Sequence, residues 1–313
     1  GQMKKINQVK DLENISRAVT FGKFDGVHLG HRKLMRKITE KKKEGLNATV
    51  FSFDKAPGSI LSDNNDDVNK RAILTSEERE NILSEVGIDT LFEYQVNLKN
   101  LSMPAEKFVT DIIRDALKAE YIAVGEDFHF GYKRQGNVRL LKQMADECGF
   151  EIEVVKKEQS DGKIISSSRI RECLKNGNIE KANALLGYAY SAGGVIVKGN
   201  QLGRTWNIPT INIPWNEAKL EIKYGVYYSE VIIDGKEYFG MTNFGRKPTI
   251  EGEYAPTLET YLYDCDEDLY GKSARVYFKH FRRSEQKFES IEKLKTQLYS
   301  DVEAGRQLIK SYN

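Results

Sequence analysis

The chain has 313 residues, of which 40% are hydrophobic, and its 48 basic and 46 acidic residues leave a net charge of +2. This length accommodates two domains with their own cores, and the balanced charge gives no reason to expect nucleic acid or a membrane as partner. No apolar run approaches the roughly 18 to 20 residues that a membrane-spanning helix needs. The three cysteines lie far apart without metal-binding spacing, which is typical of a cytoplasmic protein with reduced thiols.

The segment 18–31, AVTFGKFDGVHLGH, predicts a strand, a turn at Gly22 and Gly26, and the start of a helix at His28 and His31. The free N–H groups of a helix start favour an anion, and two imidazoles within one turn can each donate an N–H to a phosphate oxygen. We therefore predict a polyphosphate site here. A metal site, or two histidines satisfied locally beside a turn, are the alternatives.

The rest of the first half alternates strands with helices. After a polar lead-in at 4–15, strands are predicted at 48–53, 90–94, 121–125 and 150–155, and helices at 30–44, 75–86, 105–117 and 137–148. Thr75 and Glu78 have the spacing of a capping box. This alternation predicts a Rossmann-like α/β domain with a parallel sheet, in which ligands bind at the carboxyl ends of the strands.

Three loops fall at those ends, at 22–31, 54–58 and 125–136, and we expect them to converge on one site. The polar stretch 55–70 is longer than packing requires and is predicted to be a substrate flap. Neither a GxGxxG nor a GxxxxGK[ST] motif occurs, so a dinucleotide-binding turn and a Walker kinase are not supported.

The segment 164–174, IISSSRIRECL, places three serines before a short helix that carries Arg169 and Arg171. Serine commonly caps a helix while arginines point into water. The same residues also suit a second phosphate clamp, with Ser167 and Ser168 as hydroxyl donors and Arg171 as a bidentate partner. The residues alone leave both interpretations open.

The periodicity changes at Gly187. Strands are predicted at 195–198, 225–233, 237–242, 258–263 and 274–281, without helices between them, and a final helix at about 290–311. This spacing predicts a small antiparallel β-barrel followed by a helix. The predicted domains are therefore 1–186 and 187–313.

The segment 199–214, GNQLGRTWNIPTINIP, combines two glycines with a rigid proline turn. Oxygens of Thr210 and Asn212 suit Mg²⁺, and Gly199 and Gly203 would let backbone N–H groups approach an anion. A hairpin loop explains the same residues without function. Farther along, Glu259 is a lone carboxylate in a β-rich run, so it is either an exposed strand residue or a positioned base.

Six motifs in order closely resemble those of bacterial FAD synthetases, the bifunctional riboflavin kinase/FMN adenylyltransferases. They are FDGVHLGH (24–31), GEDFHFG (125–131), ISSSRIR (165–171), GRTWNIPTINI (203–213), NFGRKPT (243–249) and FRRSEQKF (281–288). The resemblance spans nearly the whole chain. It implies two ATP-dependent reactions, phosphorylation of riboflavin to FMN and adenylylation of FMN to FAD with release of pyrophosphate.

By this resemblance, the first domain is the adenylyltransferase. His28 and His31 hold the ATP phosphates, while Ser167, Ser168 and Arg171 clamp them from the other side. The remaining residues implied in this cleft are Gly22, Lys23, Phe24, Asp25, Gly26, Asp127 and Phe128.

The second domain resembles the riboflavin kinase barrel. The resemblance implies that Thr210 and Asn212 lie near Mg²⁺, that Glu259 is the base for the ribityl hydroxyl, and that Arg283 orders a loop over the flavin. The other substrate-binding positions that it implies are Lys198, Gly199, Gly203, Arg204 and Asn243.

Three positions depart from the usual family pattern. Lys23 replaces an asparagine, Asn207 replaces a glycine, and Tyr261 replaces a histidine; we expect the last two to be tolerated. If Lys23 disables the adenylyltransferase, the enzyme would retain only the kinase activity, and this alternative stays open. A flavin-responsive regulator without turnover, which would need no base, is a further alternative, and the oligomeric state is not assigned.

Overall fold

The computed structural model describes residues 2–53, 71–199, 202–249 and 251–312. The chain divides into two compact units, the first ending at Ser167 and the second beginning at Ser168. The predicted loop at 54–58 and the predicted flap at 55–70 lie outside the described residues. The expected domain boundary at residue 186 stays a prediction.

The first unit contains a six-stranded sheet in which every neighbouring pair is parallel. Its strands are β1 (Lys4–Ile6), β2 (Arg17–Gly22), β3 (Asn47–Phe53), β4 (Thr90–Tyr94), β5 (Ala119–Gly125) and β8 (Glu151–Val155). Their order in the sheet is β1-β4-β3-β2-β5-β8, and the two short strands between β5 and β8 in the chain are described below. The predicted parallel α/β fold is confirmed. The polar lead-in contains the edge strand β1, which hydropathy does not reveal because an exposed edge strand needs no apolar face.

Two short antiparallel hairpins accompany this sheet. They are formed by β6 (His129–Phe130) with β7 (Gly136–Asn137), and by β9 (Gln159–Ser160) with β10 (Lys163–Ile164). The first hairpin lies within the loop predicted at 125–136, so this loop has regular structure of its own.

The helices of the first unit are α1 (Leu29–Thr39), α2 (Ser76–Glu85), α3 (Leu98–Leu101), α4 (Ala105–Lys107) and α5 (Val138–Cys148). Thr75 and Glu78 form the predicted capping box of α2. The helix predicted at 30–44 becomes a 3₁₀-helix after Thr39, and the one predicted at 105–117 is a π-helix over Phe108–Ala116. This π-helix packs Val109 and Ile113 on the sheet core.

The second unit contains six antiparallel strands that form a nearly closed barrel. The strands are β11 (Ser191–Val195), β12 (Thr210–Pro214), β13 (Gly225–Ile233), β14 (Lys236–Pro248), β15 (Tyr254–Leu262) and β16 (Ser273–Ser284), in the order β11-β16-β13-β14-β15-β12. The two end strands approach each other where the Val197 N–H donates to the Asn212 carbonyl over 2.8 Å. The predicted barrel is confirmed. Its first strand begins at Ser191 and not at residue 195 as predicted, because Gly193 and Gly194 interrupt the alternation of apolar residues that is typical of a strand.

Helix α6 (Ser167–Asn176) begins at the last residue of the first unit and continues in the second, which also contains α7 (Ile179–Leu186), α8 (Leu202–Thr205) and α9 (Ile291–Ser311). Helix α9 packs Leu298, Val302 and Leu308 on barrel residues that include Val226, Tyr228, Met241 and Tyr261. The outer face of the barrel that carries these residues is therefore partly covered by α9.

Candidate active sites

His28 is the N-cap residue of α1. Its Nδ1 accepts hydrogen bonds from the backbone N–H groups of Gly30 at 3.1 Å and His31 at 3.3 Å. An imidazole thus performs the capping role that Ser, Thr, Asp or Asn usually perform. Because Nδ1 accepts, the proton of the neutral ring must reside on Nε2, and this N–H is a donor for a ligand.

Both imidazoles of this helix start are uncharged at neutral pH. Burial lowers the pKa of His28 from 6.5 to about 4. Burial, and secondarily the neighbouring His28, lower the pKa of His31 well below its ordinary value. Nδ1 of His31 is buried without a hydrogen-bond partner among the described residues. The pair can therefore donate hydrogen bonds to phosphate without carrying charge.

The loop between β2 and α1 has an uncommon backbone. Phe24 and Val27 have φ values of 57° and 43°, and Gly26 has a φ of 86°. Left-handed conformations at non-glycine residues are costly and concentrate at functional sites. Phe24 also contacts the ring of His31 edge-on, with centroids 5.2 Å apart.

The two described loops predicted to converge do border one cavity of ≈ 820 Å³ in the first unit. The loop at 22–31 contributes Gly22, Lys23, Phe24, His28, Gly30 and His31 to the lining of the cavity. The loop at 125–136 contributes Gly125 and residues 127–134. The volume lies within the range of small-molecule sites. This part of the predicted site is therefore brought together.

One wall of the cavity is aromatic. The ring of Phe128 stacks on Phe21 and on Phe130, with centroids 5.4 Å apart in both pairs. The rim is basic, with Lys23, Lys133, Arg134, Lys156 and Lys157 among the lining residues. Asp127 is at this rim, and its carboxylate lies 2.6 Å from Nζ of Lys157. Such a cavity suits a ligand with a planar ring and phosphate groups.

Asp25 is buried and belongs to the framework of the loop. Its Oδ1 accepts from the Ile73 N–H at 2.9 Å, and its carbonyl accepts from the Ser167 hydroxyl at 2.9 Å. Ser167 also lines the cavity. Ser168 and Arg171 follow in the part of α6 that lies in the second unit, so their part in the predicted clamp stays a prediction.

The predicted kinase residues form a row on the outer face of the barrel. Glu259 on β15 lies opposite Asn212 on β12 and opposite Asn243 on β14. Directly paired residues share a face of the sheet, and Thr210, two residues before Asn212, shares it as well. Thr210 and Glu259 are 49 residues apart in the sequence, and the sheet register brings them side by side.

Glu259 is the centre of this row. Its Oε1 lies 3.4 Å from the Thr210 hydroxyl, and its Oε2 lies 3.8 Å from Nζ of Lys247. The Asn243 Oδ1 is buried and has no hydrogen-bond partner within the described ranges. Oxygens of a threonine, an asparagine and a carboxylate are the ligands that Mg²⁺ prefers, so these residues fit that ion.

The glycines predicted at this site are required by close contacts. A Cβ on Gly199 would lie 2.4 Å from Cγ of Asn212, and one on Gly203 would lie 2.2 Å from the Ile208 carbonyl. Asn207 has a φ of 59°, a conformation that asparagine tolerates better than most residues, which accounts for its replacing glycine.

The other predicted kinase residues have no described contact with Glu259. Arg204 is exposed on α8, and the Lys198 Nζ lies 5.1 Å from the ring centroid of Tyr270. Arg283 binds the fully buried carboxylate of Asp301 on α9, with Nε at 3.0 Å from Oδ2. Arg283 therefore fastens α9 to the barrel, and its predicted effect on a flavin loop stays a prediction.

Sequence reasoning missed Asp301 and Arg79. Asp301 also accepts from Arg282 at 3.3 Å and Gln297 at 2.9 Å. Arg79 on α2 donates to the Lys23 carbonyl at 2.9 Å. Both residues occur within polar helical stretches, where a charged residue ordinarily faces water. The sequence therefore does not indicate that Asp301 is buried or that Arg79 contacts the Lys23 loop.

The metal alternative for His28 and His31, and the expectation about membrane-spanning helices, can be compared with the described residues. Within the described residues, no group of three or more His, Cys, Asp or Glu side chains is arranged to hold a metal ion, so His28 and His31 lack further ligands of those types. Across the same part of the chain, none of the helices combines the length and apolar character needed to cross a bilayer.

Comparison with known proteins identifies both units. The FAD synthetase family profile matches residues 10–169, and the riboflavin kinase profile matches residues 186–309. The bifunctional riboflavin kinase/FMN adenylyltransferase of Escherichia coli K12 is 32% identical over 307 residues, which cover 96% of each chain. The Haemophilus influenzae protein of the same name is 33% identical and covers 97% of this chain and 99% of its own.

A solved structure from Streptococcus pneumoniae, described as a macrolide-efflux protein, has the same architecture. It superposes with a TM-score of 0.86 at 30% identity and covers 97% of this chain and 98% of its own. Both profiles and the full-length relatives agree with the six ordered motifs. The chain belongs to the family of bifunctional riboflavin kinase/FMN adenylyltransferases.

Proposed function

We propose that the two units catalyse consecutive steps of FAD synthesis at separate sites, with ATP as co-substrate in both. The observation that carries this proposal is the end-to-end match to bifunctional enzymes, over 96% of both chains. The kinase forms FMN and ADP from riboflavin and ATP. The adenylyltransferase then forms FAD and pyrophosphate from FMN and a second ATP.

In the adenylyltransferase, Nε2–H of His28 and the ring of His31 donate to the phosphates of ATP. The phosphate of FMN attacks the α-phosphorus while the bond to pyrophosphate breaks. Neutral donors placed beforehand stabilise the charge that develops, without reorganisation of solvent. The aromatic wall at Phe128 and the basic rim at Lys23 support this assignment, because they match a planar ring and a chain of phosphates. The clamp by Ser168 and Arg171 belongs to the same proposal.

In the kinase, Glu259 accepts the proton of the riboflavin hydroxyl as that oxygen attacks the γ-phosphorus, and ADP leaves. The position of Glu259 beside Thr210 and opposite Asn212 and Asn243 supports this role. Thr210 and Asn212 would hold Mg²⁺, which neutralises phosphate charge when bound. Lys198, Gly199, Gly203 and Arg204 border the nucleotide, and Arg283 acts on the flavin loop.

Lys23 is exposed on the cavity lining, where a cation is compatible with phosphate, so we expect the adenylyltransferase to be active. We also infer a cytoplasmic location, since Cys148, Cys173 and Cys265 are all free thiols.

The test is a product analysis. The protein is incubated with riboflavin, ATP and Mg²⁺, and riboflavin, FMN and FAD are separated by chromatography. Appearance of FMN followed by FAD supports the proposal. FMN without FAD would select the kinase-only alternative, and no product at all would select the regulator.

A further inference from the structure

The left-handed loop that precedes α1 is restrained by a neighbouring segment that the family motifs do not include. Two hydrogen bonds reach it from residues 73–79. The Ile73 N–H donates to Asp25, and Nη1 of Arg79 donates to the Lys23 carbonyl at 2.9 Å. Because Phe24 and Val27 are strained, the loop keeps its shape only while such contacts hold it.

The guanidinium of Arg79 binds three residues, of which Lys23 is the first. Nη1 also donates to the Ser52 hydroxyl at 2.8 Å, at the carboxyl end of β3, and Nη2 binds the Glu93 carboxylate on β4 at 3.1 Å. The Arg79 and Glu93 side chains are 15% and 17% exposed, so the pair is largely shielded from water. The planar guanidinium of arginine distributes its N–H donors over several nitrogens and can reach three separated acceptors, whereas all three donors of lysine are on one nitrogen.

Arg79 is absent from the described lining of the cavity, whereas Lys23, whose carbonyl it holds, lines it together with His28 and His31. Arg79 therefore acts on the site through the backbone of another residue. A displacement of about 1 Å in a reacting geometry can cost roughly 100-fold in rate.

We propose that Arg79 is a positioning residue for adenylyl transfer: by holding the Lys23 carbonyl against β3 and β4, it keeps the loop and its histidine pair in the geometry that binds ATP phosphates. This inference rests on the proposed adenylyltransferase function. It predicts that Arg79 affects kinetic constants and not only stability.

The test compares three variants of the full chain. R79Q removes the donor to Lys23 and the ion pair together, and R79K keeps a cation without the fork. E93Q removes the charge of the ion pair but keeps an acceptor oxygen for Arg79 on β4 and leaves the donor to Lys23 in place. For each, kcat and KM for ATP and FMN are measured in FAD formation, alongside riboflavin phosphorylation and the midpoint of thermal unfolding. Riboflavin phosphorylation is the internal control, because it occurs in the other unit.

We expect R79Q to lose about tenfold or more in kcat/KM for FAD formation, R79K to lose less, and E93Q to stay within about threefold of wild type. Riboflavin phosphorylation should remain unchanged in all three. Equal losses in R79Q and E93Q, or R79Q kinetics equal to wild type, would overturn the proposal. If R79Q does not fold, wild-type kinetics in R79K would overturn it instead. Failure of the wild-type protein to form FAD would count against the proposed function, not against Arg79.

Discussion

His28 and His31 stack their imidazole rings with centroids 3.6 Å apart and planes inclined by 17°. Two imidazolium ions at this distance would repel each other, and burial keeps both rings neutral. The first ring caps α1 through Nδ1 and thereby directs Nε2–H away from the helix. The capping role and the ligand-binding role of His28 are therefore separable by substitution.

The variant H28N should keep the helix cap, since asparagine is among the best N-cap residues, but it removes the imidazole donor. We expect kcat/KM for FAD formation from FMN to fall by about 100-fold, which is typical for loss of one preorganised donor. Riboflavin phosphorylation should not change. His280 belongs to the second unit, so H280N is the matched control for FAD formation. Unchanged FAD formation in H28N would exclude the assigned role.

Stability should depend on pH through the same histidine. The pKa of His28 is lowered to about 4 in the folded protein, whereas an unfolded histidine titrates near 6.5. The unfolded chain therefore binds the extra proton between these values, and folding loses free energy as the pH falls through this window. The loss attributable to His28 amounts to about 3 kcal/mol between pH 7 and pH 4.

This linkage is measured by urea unfolding of wild type and H28N at pH 7 and at pH 4, followed by circular dichroism. Both tryptophans, Trp206 and Trp215, are in the second unit, so their fluorescence reports that unit separately. The pH-dependent loss should be smaller in H28N for the first unit alone. An equal pH dependence in both proteins would show that His28 is not a buried neutral residue.

Glu259→Gln should stop FMN formation and leave the conversion of FMN to FAD intact. Loss of a general base typically lowers the rate by about 10² to 10⁴. Glu230 on β13 is an exposed glutamate of the same barrel, 3.9 Å from Lys279, and E230Q is the matched control. Loss of both reactions in E259Q would contradict separate sites.

Asp301→Asn should destabilise the second unit by about 3 kcal/mol, because it leaves Arg282 and Arg283 without their buried carboxylate. Tryptophan fluorescence during urea unfolding measures this change directly. The first unit, followed through FAD formation from FMN, should be unaffected. A D301N protein as stable as wild type would show that the ion pairs contribute little.

Elements with strong local signals could be predicted from the sequence. The capping box at Thr75, the strand at Thr90–Tyr94 and the helix start at His28 depend on residues within a few positions, and all agree with the structure. The family resemblance likewise agrees with both family profiles and with the full-length relatives. Its motifs are contiguous stretches of sequence, so they can be recognised without knowledge of the fold.

Features that depend on distant residues could not be predicted in the same way. The row of Asn212, Glu259 and Asn243 arises from the register of three strands, and a shift of one residue would turn a whole strand to the other face. The Nδ1 cap of His28 depends on a rotamer rather than on residue type alone. Arg79 acquires its role only from the carbonyl that α2 places beside it.

The most direct test of two independent sites is complementation in a mixture. H28N alone should convert riboflavin to FMN and then form FAD about 100-fold more slowly than wild type, and E259Q alone should leave riboflavin largely unchanged while still using added FMN. An equimolar mixture of the two, given riboflavin, ATP and Mg²⁺, is therefore expected to produce FAD, since FMN released by H28N is taken up by E259Q. A mixture that forms FAD no faster than H28N alone, under conditions in which the wild-type protein forms it readily, would contradict the account.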